Sequence, residues 1–220
     1  MKINEIFTSI SGEAARAGLP VIFIRTHGCN LRCSYCDTMY AVEGGEYTEM
    51  TPLQILEKCK SYNIKRVVLT GGEPLLQQDM PELVDLLCNN GFEIEIETNG
   101  AVDLNAFHDK LTTKDTRLLS YTMDFKTESS LMSDKMITSN LSFLGTQDVI
   151  KFVVGSIEDL QQAFTVWNDF NIEAQVFVSP VFGKIEPKDI VNFVLDNKLW
   201  NWRVQLQLHK IIYPVDMRGV

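Results

Sequence analysis

Three of the chain's five cysteines stand within eight residues, in the run His27-Gly28-Cys29-Asn30-Leu31-Arg32-Cys33-Ser34-Tyr35-Cys36-Asp37-Thr38. A Cys-x3-Cys-x2-Cys loop brings three thiolates together in one turn of chain. Structural zinc takes four ligands, normally as two paired hooks, and Cys59 and Cys88 lack such spacing; they fall on apolar helix faces and read as core. His27 could complete a set of three cysteines and one histidine. Three cysteines alone suit a four-iron cubane whose fourth iron stays open, and an open iron can chelate a substrate as an open zinc position does. An odd, clustered count is also no disulfide framework.

The elements that must carry this loop are legible as apolar, β-branched runs at Val21 to Thr26, Arg66 to Thr70, Phe92 to Thr98, Leu119 to Lys126, Val149 to Val154, Ala174 to Ser179 and Arg203 to Leu208. Amphipathic helices separate them. Thr51 caps one that opens on Pro52; others run from Met80 to Asn90, Ser156 to Phe170 and Pro187 to Asn197, each with an acidic first turn. Repeated strand and helix units predict a parallel sheet with right-handed crossovers. A full eight-unit barrel runs to about 250 residues, so this chain predicts an incomplete TIM-type barrel of six to seven parallel strands, open on one side. No linker divides it, and residues 1–220 read as one domain.

Three strands alternate. Phe92, Ile94 and Ile96 oppose Glu93, Glu95 and Glu97; Tyr121, Met123 and Phe125 oppose Ser120, Thr122, Asp124 and Lys126; Val204, Leu206 and Leu208 oppose Arg203, Gln205, Gln207 and His209. The apolar faces are expected to meet the helices and the polar faces to line a wet, reachable cavity. Strand ends then deliver further motifs: Thr70-Gly71-Gly72-Glu73-Pro74, Glu97-Thr98-Asn99-Gly100, Asp124-Phe125-Lys126 and Ser179-Pro180. Two glycines let backbone approach a ligand, and Glu73 offers an acceptor for an ammonium.

Composition narrows the partner. A formal net charge of −9 argues against a protein that neutralises nucleic-acid phosphates, and no apolar run approaches the ~20 residues of a membrane span. The start, Met1-Lys2-Ile3-Asn4-Glu5, lacks the apolar core of a signal peptide, which predicts a cytoplasmic protein. A small molecule is the expected substrate.

The cysteine loop, placed after the first predicted strand, resembles that of the radical S-adenosylmethionine (SAM) superfamily. That resemblance implies a 4Fe-4S cluster on Cys29, Cys33 and Cys36, with SAM on the open iron. It also implies reductive cleavage to a 5′-deoxyadenosyl radical that abstracts hydrogen. Phe7-Thr8-Ser9-Ile10-Ser11-Gly12-Glu13, Phe23-Ile24-Arg25, Cys36-Asp37-Thr38, Gln205-Leu206-Gln207-Leu208-His209-Lys210 and the terminal Arg218-Gly219-Val220 resemble the 7-carboxy-7-deazaguanine synthase family over the whole chain. The implied reaction contracts the pyrazine ring of 6-carboxy-5,6,7,8-tetrahydropterin with loss of ammonia, on the route to deazapurines such as queuosine.

The same resemblance assigns SAM contacts to Tyr35, Cys36, Asp37, Gly72, Glu73, Gly100, Asp124, Phe125, Lys126 and Ser179, and Mg²⁺ to Thr38. Substrate contacts fall to Ile10, Ser11, Gly12, Glu13, Arg25, Thr98, His209 and the carboxylate of Val220. It further implies a homodimer, with a flavodoxin-type protein as electron donor. Read from the residues themselves, Arg25 interrupts an apolar strand and needs an anion, either Glu13 or a substrate carboxylate. His209 reads as a hydrogen-bond partner at the end of the last strand. The chain has Ser11-Gly12-Glu13-Ala14 where many of that family have Gln-Gly-Glu-Gly, and Asp124-Phe125-Lys126 where they have Ser-Pro-Lys. An activase that installs a glycyl radical on a protein shares the cysteine loop and stands as the alternative enzyme; a zinc protein or electron carrier stands as the alternative outside catalysis.

Overall fold

The computed structural model describes residues 1–113, 117–214 and 217–219. In chain order its elements are β1 (Lys2–Ile10), β2 (Pro20–Thr26), α1 (Met39–Val42), β3 (Thr48–Glu49), α2 (Pro52–Lys60), β4 (Arg66–Gly71), α3 (Met80–Asn89), β5 (Glu93–Thr98) and α4 (Leu104–His108). There follow β6 (Leu119–Phe125), α5 (Asn140–Phe143), β7 (Val149–Val154), α6 (Ile157–Asp169), β8 (Gln175–Pro180), α7 (Pro187–Asp196), β9 (Trp202–Val204) and α8 (Leu208–Ile212). The strands form one sheet in the order β3-β1-β2-β4-β5-β6-β7-β8-β9. From β2 to β9 every pairing is parallel, so the expected partial barrel holds.

Two features depart from expectation. The barrel's open side carries an antiparallel edge: β1 pairs with β2, Glu5 opposite Arg25, and β3 adds two residues beyond it. The last strand is also shorter than its alternation implies. β9 stops at Val204, residues 205–207 run on irregularly, and Leu208 begins a helix. His209 therefore sits in α8 rather than at a strand end.

The apolar strand faces meet the helices as expected. Phe92, Ile94, Ile96, Tyr121, Met123 and Phe125 join one buried cluster with Leu83, Leu87 and Ile55 from α3 and α2. Helix ends obey local rules: Thr51 and Gln54 form a reciprocal capping box on α2, with Pro52 at its first position. Gly91 adopts φ of 71° just beyond α3, where a Cβ would be strained.

The lumen is not simply wet. A one-turn 3-10 helix, Ala14–Arg16, plugs it from below, with Ala14 against Val149 and Phe177, while Phe7 stacks on Phe23 at 5.1 Å. Between these apolar plugs the lumen charges pair off instead of facing water. The described cavity, about 210 Å³, opens at the N-terminal end of the strands, lined by Arg16, Glu95, Arg117, Ser120, Tyr121 and Thr122. It lies at the opposite end from the sequence motifs.

Replacing Thr51 with Ala is expected to cost about 1 kcal/mol and to lower the midpoint of thermal unfolding by about 2–4 °C, read by calorimetry.

Candidate functional site

The cysteine loop leaves β2 at its C-terminal end, and the next four strand ends all hold it. Gly28 donates its N–H to the Ala41 carbonyl at 2.7 Å and accepts from Glu73 N at 2.9 Å. The Asn30 side chain donates to Ala101 O after β5 at 3.1 Å, Ser34 N to Ser130 O after β6 at 3.0 Å, and Tyr35 Oη to Val153 O of β7 at 3.3 Å. At the β4 turn the fit is backbone on backbone: a Cβ on Gly72 would stand 2.2 Å from the Gly28 oxygen. Only glycine allows that approach.

The three cysteines are half-buried thiols. Burial pushes Cys29 and Cys33 above the ordinary thiol range, and each thiolate would raise its neighbours further, with Lys126 acting against this at Cys33. Cys29 Sγ also accepts from Leu31 N at 3.4 Å and from the Asn99 amide at 3.5 Å. This donor set fits an iron-sulfur cluster, whose charge would relieve the repulsion and whose sulfurs take such N–H donors. His27, the fourth ligand a zinc site would need, is turned towards Asn4 at 3.3 Å and lies beside the Tyr47 ring.

Around the loop several residues predicted to meet SAM are committed to one another. Glu73 has no exposed surface and accepts from Leu75 N at 3.0 Å, Asn99 N at 2.7 Å and Thr98 Oγ1 at 3.0 Å. Burial pushes it up to about 7, against the pull of those amide and hydroxyl donors. The Glu73 carboxylate and the Thr98 hydroxyl thereby lock the β4 turn to the end of β5. Gly100, at φ of 76°, brings backbone within 3.2 Å of the Asp124 carbonyl, measured from where a Cβ would sit.

The Phe125 side chain packs into the core against Phe152, so only its backbone can serve the site. Asp124 accepts from Lys126 at 2.9 Å and Lys151 at 3.0 Å; burial would raise its carboxyl, but the two ammoniums hold it below the ordinary range. Ser179 buries a hydroxyl with no hydrogen-bond partner among the described residues, as a group that awaits a ligand would. Burial keeps the Tyr35 phenol protonated, up to about 12. Asp37 pairs with Lys210 at 2.8 Å.

On the substrate side, Arg25 meets Glu5 across β1, at 2.7 Å, and not Glu13; Tyr40 Oη donates to the same Glu5 oxygen at 2.7 Å. Glu13 pairs with Lys151 and accepts from Gln207. Ile10 ends β1, and the Ser11 hydroxyl donates to the Glu13 carbonyl at 3.1 Å. From its helix, His209 packs on the loop after β1: its ring sits so close to Gly12 that a Cβ there would stand 2.4 Å from Nδ1, and Leu208 N donates to Gly12 O at 3.1 Å. Burial holds the imidazole below its ordinary range, so it is neutral near pH 7. Thr38 makes no side-chain cap to α1, and its Oγ1 lies 3.9 Å from Cys36 Sγ. Arg218 stacks over Tyr40 at 4.0 Å; Val220 lies outside the described residues.

Sequence reasoning assigns no role to Lys151, and places Asn99, Gln205 and Gln207 only within longer motifs. Gln205 grips both backbone groups of Ala14, accepting from its N at 2.5 Å and donating to its O at 3.2 Å. A polar residue at a lumen-facing position was the available signal for Lys151 and Gln205.

Residues 23–127 match the Radical SAM superfamily. Over the whole chain, the protein is 47% identical to the 7-carboxy-7-deazaguanine synthase of Clostridium acetobutylicum, covering 99% of that relative. It is 41% identical to that of Methanospirillum hungatei over 96% of the chain and 85% of the relative, and 34% identical to that of Thermoplasma acidophilum over the full length of both. The crystal structure of QueE from Escherichia coli superposes with a TM-score of 0.75 and 24% identity, over 94% of each chain. Streptococcus suis SuiB bound to S-adenosylmethionine superposes at 0.59 and 15% identity, over 84% of this chain and 46% of that one.

Substituting Gly72 with Ala should push the cysteine loop off the β4 turn, so reconstituted protein should bind less iron per chain than the parent by metal analysis. Burial of Glu97 in the lumen pushes its carboxyl from 4.5 up to about 7. The folded state then keeps a proton that the unfolded chain sheds, and this residue's contribution to stability declines as pH rises from 4.5 to about 7. Urea unfolding across that window should show a shallower decline for Glu97→Gln.

Proposed function

The chain belongs to the 7-carboxy-7-deazaguanine synthase family, within the radical SAM superfamily, and on that premise we propose that residues 1–220 act as one domain that converts 6-carboxy-5,6,7,8-tetrahydropterin to 7-carboxy-7-deazaguanine with loss of ammonia. The cluster and SAM, when bound, supply one electron and a carbon radical that abstracts hydrogen. The chain's own residues do the rest. Cys29, Cys33 and Cys36 are the ligands, with Leu31 N and the Asn99 amide donating to the Cys29 sulfur. Backbone at Gly72, Glu73, Gly100 and residues 124–126, together with the Tyr35 and Ser179 hydroxyls, forms the SAM cradle.

The observation that carries the reading is one ion pair, Lys210 to Asp37, which ties the segment that bears His209 to the residue beside Cys36. It sets the proposed substrate residues, Gly12 and His209, next to the cofactor loop. Neutral His209 can donate or accept one hydrogen bond there, and Ile10 to Glu13 can offer backbone to the pterin edge. Arg25 is assigned to the substrate carboxylate, with Glu5 and Tyr40 fixing its position. Thr38, uncommitted to helix capping, is assigned to Mg²⁺, an ion that keeps several waters and takes few protein ligands.

Half-exposure of the cysteine loop leaves a face open to a small flavodoxin-type electron donor, and a homodimer follows from the family resemblance. Among the described residues no helix is long and apolar enough to cross a membrane.

The deciding experiment is an anaerobic assay of iron-reconstituted protein with SAM, reductant, Mg²⁺ and carboxytetrahydropterin, reading 5′-deoxyadenosine and deazaguanine by mass spectrometry. Both should form. Deoxyadenosine with no deazaguanine would sink the substrate assignment. Alanine at Cys29, Cys33 or Cys36 should abolish both products, whereas Arg25→Ala should retain SAM cleavage and lose turnover by at least about 100-fold.

A further inference from the structure

Lys151 is the one charged residue of β7, and all six residues of that strand are buried. An ammonium at such a depth either loses its proton or is held by anions. Here it is held. Nζ reaches the Glu13 carboxylate on one side and Asp124 Oδ1, at 3.0 Å, on the other.

The partners at each end belong to different halves of the pocket. Glu13 follows Gly12 in the loop that touches His209, and it also accepts from Gln207. Asp124 stands near the end of β6 and pairs with Lys126, whose charge acts on Cys33 and Tyr35 of the cysteine loop. One unbroken chain of charged and amide groups thus runs Gln207, Glu13, Lys151, Asp124, Lys126. It crosses the barrel from the substrate side to the cofactor side.

No other described ion pair joins these halves through the lumen. Lys210 with Asp37 joins them at the rim, where Asp37 is half exposed, and the charge of an exposed pair is screened. The buried pairs are screened far less, and displacing Glu13 from Lys151 would leave its carboxylate without a cation inside the lumen.

We infer that Lys151 is a positioning residue that keeps the pterin-side loop, Gly12 and Glu13, in fixed register with the SAM-side strand end, Asp124 to Lys126, and so couples cofactor cleavage to hydrogen abstraction from the substrate. The inference rests on the proposed reaction. It assigns no proton transfer to the ammonium; the lysine acts through the groups it holds.

The test compares Lys151→Met and Lys151→Arg with the parent, all reconstituted with iron, in the anaerobic assay. Lys151→Met should raise the deoxyadenosine formed per deazaguanine by about tenfold and raise the KM for carboxytetrahydropterin. Its iron content and its cleavage of SAM without substrate should stay within about twofold of the parent. Arginine, which can span both carboxylates, should restore most of the coupling. Should Lys151→Met fail to fold around the unpaired Glu13 carboxylate, the double variant Glu13→Gln, Lys151→Met removes that charge, leaves Asp124 paired with Lys126 and should show the same uncoupling.

An unchanged product ratio in the folded variants overturns the inference. So does a parallel loss of SAM cleavage and turnover, which would mark Lys151 as support for the cofactor side alone. If the parent itself forms no deazaguanine, the proposed reaction falls first and the inference with it.

Discussion

Charge buried inside a half-barrel sets the terms for this molecule. A closed eight-stranded barrel fills its centre with apolar layers, but here β5, β6 and β7 turn Glu95, Glu97, Thr122, Asp124 and Lys151 inward. Left alone, each would cost several kcal/mol in a dry interior. Most are tolerable because an opposite charge is brought in from another segment: Arg16 approaches Glu95 from the 3-10 plug, and Lys151 of β7 sits between Glu13 and Asp124, with Lys126 folding back on Asp124 from the end of its own strand. Neutralisation therefore requires the strands to be in register, and the register in turn fixes the strand ends that hold the site.

Above this layer the site is built mostly from backbone. Gly72 and Gly100 let neighbouring backbone approach without side chains between, and the Glu73 carboxylate accepts from Leu75, Thr98 and Asn99. A motif whose most chemical side chain is wholly internal works as a clamp. It leaves carbonyls and amides, rigidly placed, to face a ligand, and such groups lose no side-chain entropy on binding.

How far the sequence could be read follows from which signals are local. Spacing announced the cysteine loop, alternation announced the helix-facing core of β5 and β6, and the Thr51-Pro52 pair announced α2 to within a residue. The antiparallel edge was not legible. Residues Lys2 to Ile10 alternate weakly because both faces are only partly covered, so β1 escaped notice, and the partner it gives Arg25, Glu5, escaped with it. The run from Arg203 to Leu208 misled in the opposite sense: period-two alternation describes extended chain whether or not a neighbour pairs with it, and the sheet ends at Val204. Lys151 carried the same signal as Arg25, a cation in an apolar strand, yet its meaning depended on Glu13 and Asp124, which only the folded barrel brings to it.

The Gln205 and Gln207 bonds to Ala14 and Glu13 span 191 and 194 positions of chain. Contacts of such separation close loops that take in most of the 220-residue chain, and the entropic cost of closing them is among the highest in the molecule. The cysteine loop, by contrast, is held across shorter spans, 71 positions to Ala101 and 118 to Val153. Folding order therefore divides the pocket in time: a cofactor-holding half can consolidate while the wall opposite is still open, and the compartment that excludes water from a radical closes only when the two distant segments meet.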